Sequence, residues 1–281
     1  MNYEQQLDHL ITNALAEDIG DGDHSSLACI PAGEKGKAKL LIKEQGILAG
    51  MRVAHELFSV VDSNLKFEPL IEDGAGIVPG DIAFFLSGPQ QSILKTERLV
   101  LNIMQRMSGI ATETHKYTSQ LKGLKTIILD TRKTTPGLRF LEKEAVRIGG
   151  GQNHRMGLYD MIMLKDNHID YAGGIENAIG QTNEYLLKNN LNLKVEIEAR
   201  SLNDVRRILK AGGVDRIMLD NFSVEDTLTA VKEISGSYET ESSGGINLST
   251  IRAYAECGVD FISVGALTHH IKSLDMSLKA V

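Results

Sequence analysis

Two cations stand side by side in DTRKTTPGLR, residues 130–139, directly after the apolar run at 126–129. Unit charges of like sign ~4 Å apart repel by about 4 kcal/mol at an effective dielectric near 20. Arg132 and Lys133 at the end of a strand therefore call for a bound anion or an interleaved carboxylate. His154 and Arg155 follow the glycine run at 149–151, and Lys165 closes the apolar segment MIML. Glu198 and Asp220 are isolated acids that end two further apolar runs. In a cationic cleft such carboxylates can hold Mg2+ through water, accept hydrogen bonds from sugar hydroxyls, or steady positive charge developing on a sugar carbon. The plainer alternative is that each balances a neighbouring Lys or Arg. SSGGI (242–246) and FISVG (261–265) place small residues and glycines where backbone N–H groups can cradle a phosphate. No Walker loop or dinucleotide fingerprint is present. His168, His269 and His270 lack metal-ligand spacing and read as ordinary hydrogen-bonded histidines.

Positioning these residues requires strands that end together. Strand-like runs at 126–130, 161–166, 194–199, 216–221, 242–246 (the weakest) and 261–265 alternate with helical stretches such as 202–211 and 248–257. That rhythm implies parallel strands with right-handed crossovers. Arg132, Lys133, Lys165, Glu198, Asp220, Ser243, Gly244, Gly245 and Gly265 lie at or just past the C-terminal ends of those strands, the edge that carries the active site of a β/α barrel. Six strands are fewer than a closed barrel needs. Upstream, a helix over 3–17, Gly-punctuated strands with a helix near 54–61, and a long helix over 92–121 interrupted at Ser108-Gly109 suggest a mostly antiparallel layer. On the long helix Ile93, Leu94, Leu101, Met104 and Met107 should pack inward. Arg139, Glu142, Lys143, Glu144 and Arg147 read as the mixed surface charge of another helix.

The totals exclude several functions. The chain has 281 residues, 42% hydrophobic, with a net charge of −7, which disfavours nucleic acid and anionic membranes as partners. No apolar stretch approaches the ~20 residues of a membrane span, and MNYEQQLDHL has neither the basic nor the apolar part of a secretion signal. Cys29 and Cys257 lie in no metal spacing and suit a reducing compartment. A cytoplasmic protein is expected.

The motifs ALAEDIGDGD, ERLVLNIMQRMSGIAT, DTRKTTPGLRFLEKEAVRIGGGQNHRMGLYD, LKDNHI, VEIEA, MLDNF, ESSGGIN and GVDFISVGALTHH resemble, in order, those of the quinolinate phosphoribosyltransferases, the carboxylating nicotinate-nucleotide pyrophosphorylases. The resemblance runs from about 15 to 278. It implies an α/β fold in which an N-terminal α/β sandwich (1–108, joined by the tail 270–281) precedes an incomplete β/α barrel (109–269). The implied reaction joins quinolinate and phosphoribosyl pyrophosphate to give nicotinate mononucleotide, pyrophosphate and CO2, in NAD biosynthesis.

By the same resemblance, Arg132, His154, Arg155 and Lys165 would hold the pyridine dicarboxylate, Thr131 would also bind substrate, and Arg98 would reach the pocket from a neighbouring subunit. Lys133 would contact pyrophosphate. Glu198 and Asp220 would face the ribose and Mg2+, while Ser243, Gly244 and Gly245 with Ser263, Val264 and Gly265 would cradle the phosphate ester. Lys133, Lys165, Glu198 and Asp220 would carry the catalysis, in a homodimer or dimer-based oligomer with shared sites. Ser25 and Glu144 depart from the pattern, which more often has Thr and Tyr there. Three rivals stand beside this reading: a molybdenum-transport-associated paralogue of the same fold, a barrel lyase using Lys165 as a Schiff-base amine, and a non-catalytic nucleotide-binding protein.

Overall fold

Alternation in KGKAKLLI explains the first sheet: Ala38, Leu40 and Ile42 are buried, while Lys35 and Lys37 are exposed. Half-buried strands of this pattern pair antiparallel. A computed structural model describes all 281 residues. It places in chain order β1 (Lys35–Ile42), β2 (Gly46–Ile47), β3 (Lys66–Pro69), β4 (Gly76–Ile77) and β5 (Ile82–Pro89). There follow β6 (Ile127–Leu129), β7 (Ile162–Leu164), β8 (Val195–Ala199), β9 (Arg216–Asp220), β10 (Glu239–Ser243), β11 (Phe261–Ser263) and β12 (Met276–Ala280). The first sheet has the order β12-β1-β5-β3. Its outer member comes from the C-terminal tail, with Ala38 opposite Ala280 and Ile42 opposite Met276. The helix Met51–Val61 buries Val53, Ala54, Leu57 and Phe58. Phe58, Phe67 and Phe84 cluster with ring centroids 4.9 to 5.7 Å apart.

The chain divides into two compact units. One comprises 1–115, 134–150 and 270–281; the other comprises 116–133 and 151–269. Residues 134–150 thus group with the first unit, not with the strands that flank them in sequence.

Three local expectations fail in the first unit. The helix Gln90–Gln120 runs through Ser108-Gly109 without a break. Ser108 bonds both backbone groups of Ala49, and a Cβ on Gly109 would stand 2.4 Å from the carbonyl oxygen of Lys272. Both residues serve close packing, not a turn. On the same helix Ile93, Leu101, Met104 and Met107 are buried, but Leu94 is 42% exposed.

On the helix Arg139–Ile148 two of the five expected surface charges are buried, Glu142 and Lys143 at 1% exposed each, while Arg147 is exposed and Arg139 and Glu144 are half-buried. Glu142 accepts from Arg106 Nε at 2.9 Å and from Nη2 at 2.6 Å, and takes the Thr135 N–H. A buried carboxylate needs such partners. Glu144 accepts from the Tyr3 hydroxyl and from Arg52, whose guanidinium lies over the Tyr3 ring. The carboxylate of Glu144, where a Tyr is more usual, thus ties the first helix down.

In the second unit six parallel strands lie in the order β6-β11-β10-β9-β8-β7. β6 and β7 do not pair, and β6 gains only a one-residue parallel bridge from Leu129 to Gln152. The barrel is therefore incomplete. VEIEA, RIMLD and ETESS alternate with period two, and register aligns their polar members: Glu196 with Arg216 and Glu239, Glu198 with Met218 and Glu241, Asp220 with Ser243. Val195, Ile197, Ile217 and Leu219 fall on the other face, where the helix Leu202–Ala211 contacts β8. Ser201 and Ser223 cap helices by accepting the N–H of Asp204 and Asp226. The helix anticipated over 248–257 is shorter, Ile251–Glu256. The Asn247 side chain accepts the Ser249 N–H at 3.0 Å, and Thr250 Oγ1 accepts the Asn247 N–H at 3.0 Å, which holds 247–250 as a turn.

Candidate active site

The C-terminal ends of β6 to β11 surround a cavity of about 690 Å³, within the range of small-molecule sites, ~300–1,000 Å³. Thr131, Arg132, Lys133, His154, Arg155, Lys165, Glu198, Asp220, Ser243, Gly244, Gly245, Ser263, Val264 and Gly265 all line it. Of the residues to which the family resemblance assigns a site role, only Arg98 is not among the lining groups. It is exposed on the helix Gln90–Gln120 of the first unit.

Arg132, Lys133 and Lys165 are exposed at the rim, whereas Arg155 is buried and donates from Nη1 to the Met161 carbonyl at 3.1 Å. Burial, and then the positive charge of Arg132, pull the Arg155 guanidinium below its usual value. Cations gathered in this way favour an anionic ligand. The loop carrying His154 and Arg155 is held by a residue the sequence did not flag. Asp130, fully buried, accepts the His154 N–H at 2.9 Å and the Asn153 side-chain amide at 2.6 Å. A carboxylate placed between an apolar strand and two cations was the available signal.

Glu198 accepts from Lys165 Nζ at 2.7 Å and from the Asp166 N–H at 3.1 Å. The simple charge-balancing role weighed for Glu198 therefore has a partner in Lys165. The same pair argues against an amine nucleophile, since an ion-paired ammonium offers no lone pair. Asp220 differs: burial and the nearby Glu198 charge raise its carboxyl pKa, and its side-chain partner is the neutral Asn221 amide at 2.9 Å. Two neighbouring carboxylates of this kind suit a hard cation kept partly hydrated.

At the next strand end the backbone makes the turn. Gly244 has φ +94°, and a Cβ there would lie 2.1 Å from Asn221 Oδ1, so only glycine fits. Because the following helix begins at Ile251, the residues at this strand end form a glycine turn and not a helix start.

Beneath the cavity lies a layer that went unremarked in the sequence. His154 Nε2 is 2.9 Å from Glu196 Oε2 and 3.4 Å from Glu241 Oε2, and both glutamates are 0% exposed. Arg216 Nη1 reaches Glu241 Oε2 at 2.9 Å, and its other nitrogens reach Glu239. The Arg155 N–H donates to His154 Nδ1 at 2.7 Å, which leaves the ring proton on Nε2, between the carboxylates. Burial alone would lower the imidazole pKa, but the two glutamates raise it to about 9. Burial and the Glu241 charge push Glu196 up as well. Both shifts have one meaning: the cluster keeps a proton at neutral pH. His154, Glu196 and Glu241 form a potential ligand set for a metal, but Arg216 and that proton already supply the positive charge there. The signal for this layer was charge on every second residue of VEIEA, RIMLD and ETESS, a polar face in strands otherwise apolar.

A cationic cavity with a carboxylate pair and glycine turns at the C-terminal rim of an incomplete parallel barrel defines a sugar-phosphate transferase. Residues 23–108 match the quinolinate phosphoribosyl transferase N-terminal domain, and residues 110–279 match the C-terminal domain. The chain belongs to the quinolinate phosphoribosyltransferase family. It is 47% identical over 285 residues to the chloroplastic nicotinate-nucleotide pyrophosphorylase [carboxylating] of Arabidopsis thaliana, covering 96% of this chain and 81% of that one. The probable nicotinate-nucleotide pyrophosphorylase [carboxylating] of Bacillus subtilis is 42% identical, with 97% and 93% covered. The crystal structure of NadC from Streptococcus pyogenes superposes with a TM-score of 0.93 at 39% identity, over 100% of this chain and 99% of that one. No helix is long and apolar enough to cross a membrane.

Proposed function

We propose that this pocket transfers the phosphoribosyl group of phosphoribosyl pyrophosphate to quinolinate, with loss of CO2, giving nicotinate mononucleotide and pyrophosphate. The observation that carries the reading is the convergence of Arg132, Lys133, Arg155 and Lys165 on one cavity beside the pair Glu198 and Asp220. Arg132, Arg155 and Lys165, with His154 beside them, hold the two carboxylates and orient the ring nitrogen toward the sugar. That nitrogen forms a bond to the ribose carbon as the bond from the same carbon to pyrophosphate breaks, and pyrophosphate takes the electron pair. Lys133 neutralises the departing oxygens, and the carboxylates of Glu198 and Asp220 steady the positive charge on the sugar. Glu198 and Asp220 would also hold Mg2+ through water, and the ion supplies further charge to the leaving group. The ring-to-carboxylate bond then breaks, its electrons settle beside the quaternised nitrogen, CO2 leaves, and a proton from solvent replaces it. No side-chain base is needed for that step.

The test is acceptor choice. With phosphoribosyl pyrophosphate and Mg2+, quinolinate should turn over with release of one CO2, and nicotinate, one carboxylate poorer, should be slower by two orders of magnitude or more. A buried cation left unpaired costs about 3–5 kcal/mol. Equal rates for the two acids would remove the basis of the assignment.

The working unit is a homodimer or a dimer-based oligomer in which Arg98 completes a neighbour's pocket; its exposure on the helix Gln90–Gln120 supports this. Arg98→Ala and Lys133→Ala proteins should each be nearly inactive, while random subunit exchange restores about a quarter of the sites. Demonstrated exchange without recovery would refute a shared site. The free Cys29 and Cys257 support a reducing compartment such as the cytoplasm. Some plant relatives are named as chloroplastic or mitochondrial, and cell fractionation would decide.

A further inference from the structure

The buried layer under the cavity does more than fill the barrel. We propose that Glu196 and Glu241, backed by Arg216, are positioning residues for the acceptor end of the pocket and act through His154. The proposal rests on the acceptor reading above and adds residues to it.

The geometry leads there in three steps. First, the imidazole has no rotational freedom. Its Nδ1 takes the Arg155 N–H at 2.7 Å, Nε2 lies 2.9 Å from Glu196 and 3.4 Å from Glu241, and the residue's own N–H goes to Asp130. The last bond and the first tie the ring to the loop that carries Arg155, so a shift of His154 is also a shift of Arg155. Second, a barrel floor has no packing need for two carboxylates. Glu196 and Glu241 are 0% exposed on strands that otherwise bury Val195, Ile197, Thr240 and Ser242. Replacing such a buried ionic cluster as a whole by apolar residues is often neutral for stability. Third, the carboxylates sit under a pocket read as an anion site, where bare negative charge would repel the ligand. Arg216, 2.9 Å from Glu241 and ringed by Glu239 and the Phe261 face, offsets it. The charged groups facing His154 are thus Glu196 from β8, Glu241 from β10, Arg216 from β9, and Asp130 beyond β6.

The experiment uses the full chain carrying Glu196→Gln, Glu241→Gln or His154→Gln, and each glutamine combined with His154→Gln. Expected for either glutamate variant is a KM for quinolinate raised tenfold or more and a KM for phosphoribosyl pyrophosphate within about twofold of normal. In the double variants the glutamate change should add no further loss, because its effect has already been lost with the imidazole. Multiplying losses in the doubles, or equal rises in KM for both substrates, would overturn the proposal. A second readout does not need turnover. In protein labelled with 15N-histidine, the His154 ring signals, assigned by their loss in His154→Gln, should move in Glu196→Gln and Glu241→Gln. If they stay in place the positioning role is wrong even where quinolinate is a substrate. If they move while wild-type protein ignores quinolinate, the acceptor assignment fails and the positioning stands.

Discussion

The two sheets of this chain use alternation for opposite ends. In β1 the apolar residues Ala38, Leu40 and Ile42 turn inward and lysines turn out, and the core is completed by Phe58, Phe67 and Phe84. In β8 every residue is buried, and the set alternating with Val195, Ile197 and Ala199 is Glu196 and Glu198. The first arrangement is held by area removed from water, about 25 cal/mol per Å² of apolar surface. The second takes charges out of water, which is costly unless each is paired. A fold gains nothing from such a layer that apolar residues would not supply. Its presence marks the sheet whose interior has chemical work.

The comparison breaks most sharply on activity. Glu198→Gln and Asp220→Asn each remove charge where the transition state is most positive. Turnover should fall by about 10² to 10³, with the melting curve little changed. Leu40→Ala in the first sheet should do the reverse: a stability loss of about 2–5 kcal/mol and normal turnover below the melting range. Steady-state kinetics and thermal melts on the three variants check both halves. Glutamate and aspartate variants that melt early yet keep full specific activity would make both carboxylates structural.

Stability separates the sheets by mechanism. Arg216→Met leaves Glu239 and Glu241 without their guanidinium partner and should cost about 3–5 kcal/mol. Phe84→Leu, a modest hydrophobic swap in a core that can repack, should cost about 1.5 kcal/mol or less. Adding Glu241→Gln to Arg216→Met should return part of the loss, because it removes the stranded charge. Chemical denaturation of the three proteins measures this. No recovery in the double variant would mean that Arg216 acts by packing on Phe261 and not by pairing.

How much of this was legible in the sequence follows the same division. Residues at strand ends were readable, because an isolated charge after an apolar run has few explanations. Arg132, Lys165, Glu198 and Asp220 all line the cavity. The charges inside the strands were not read: Glu196 and Arg216 fit the polar half of any ordinary alternation, and which face is enclosed depends on curvature across strands far apart in sequence. Glu142 and Lys143 were misjudged for the same reason. Helical spacing of charges looks identical on a solvated face and on one covered by Arg106 and Thr135. The continuous helix through Ser108-Gly109 reflects contacts with Ala49 and Lys272, and no local signal reports those.

The smallest effect concerns pH. The His154 imidazole is raised to about 9 by Glu196 and Glu241 despite its burial, against an ordinary value of ~6.5. A group that binds its proton more tightly when folded stabilises the fold below its unfolded pKa and loses that contribution as pH rises through its folded pKa. Glu196, also pushed up, acts in the same direction at lower pH. Stability of the second unit should therefore decline between pH ~6.5 and ~9 by a kcal/mol or so, the coupling to Glu196, Glu241 and Arg216 keeping it small. The first unit offers a contrast within the same chain, since its sheet core of Phe58, Phe84 and Leu86 contains no titrating group. Hydrogen exchange, followed amide by amide across that range, should show protection falling in β8 and β10 before β1 and β5. His154→Gln should flatten the difference. If β1 and β5 lose protection in step with β8 and β10 in wild-type protein and in the variant alike, the pH dependence lies elsewhere and the buried proton contributes nothing measurable to folding.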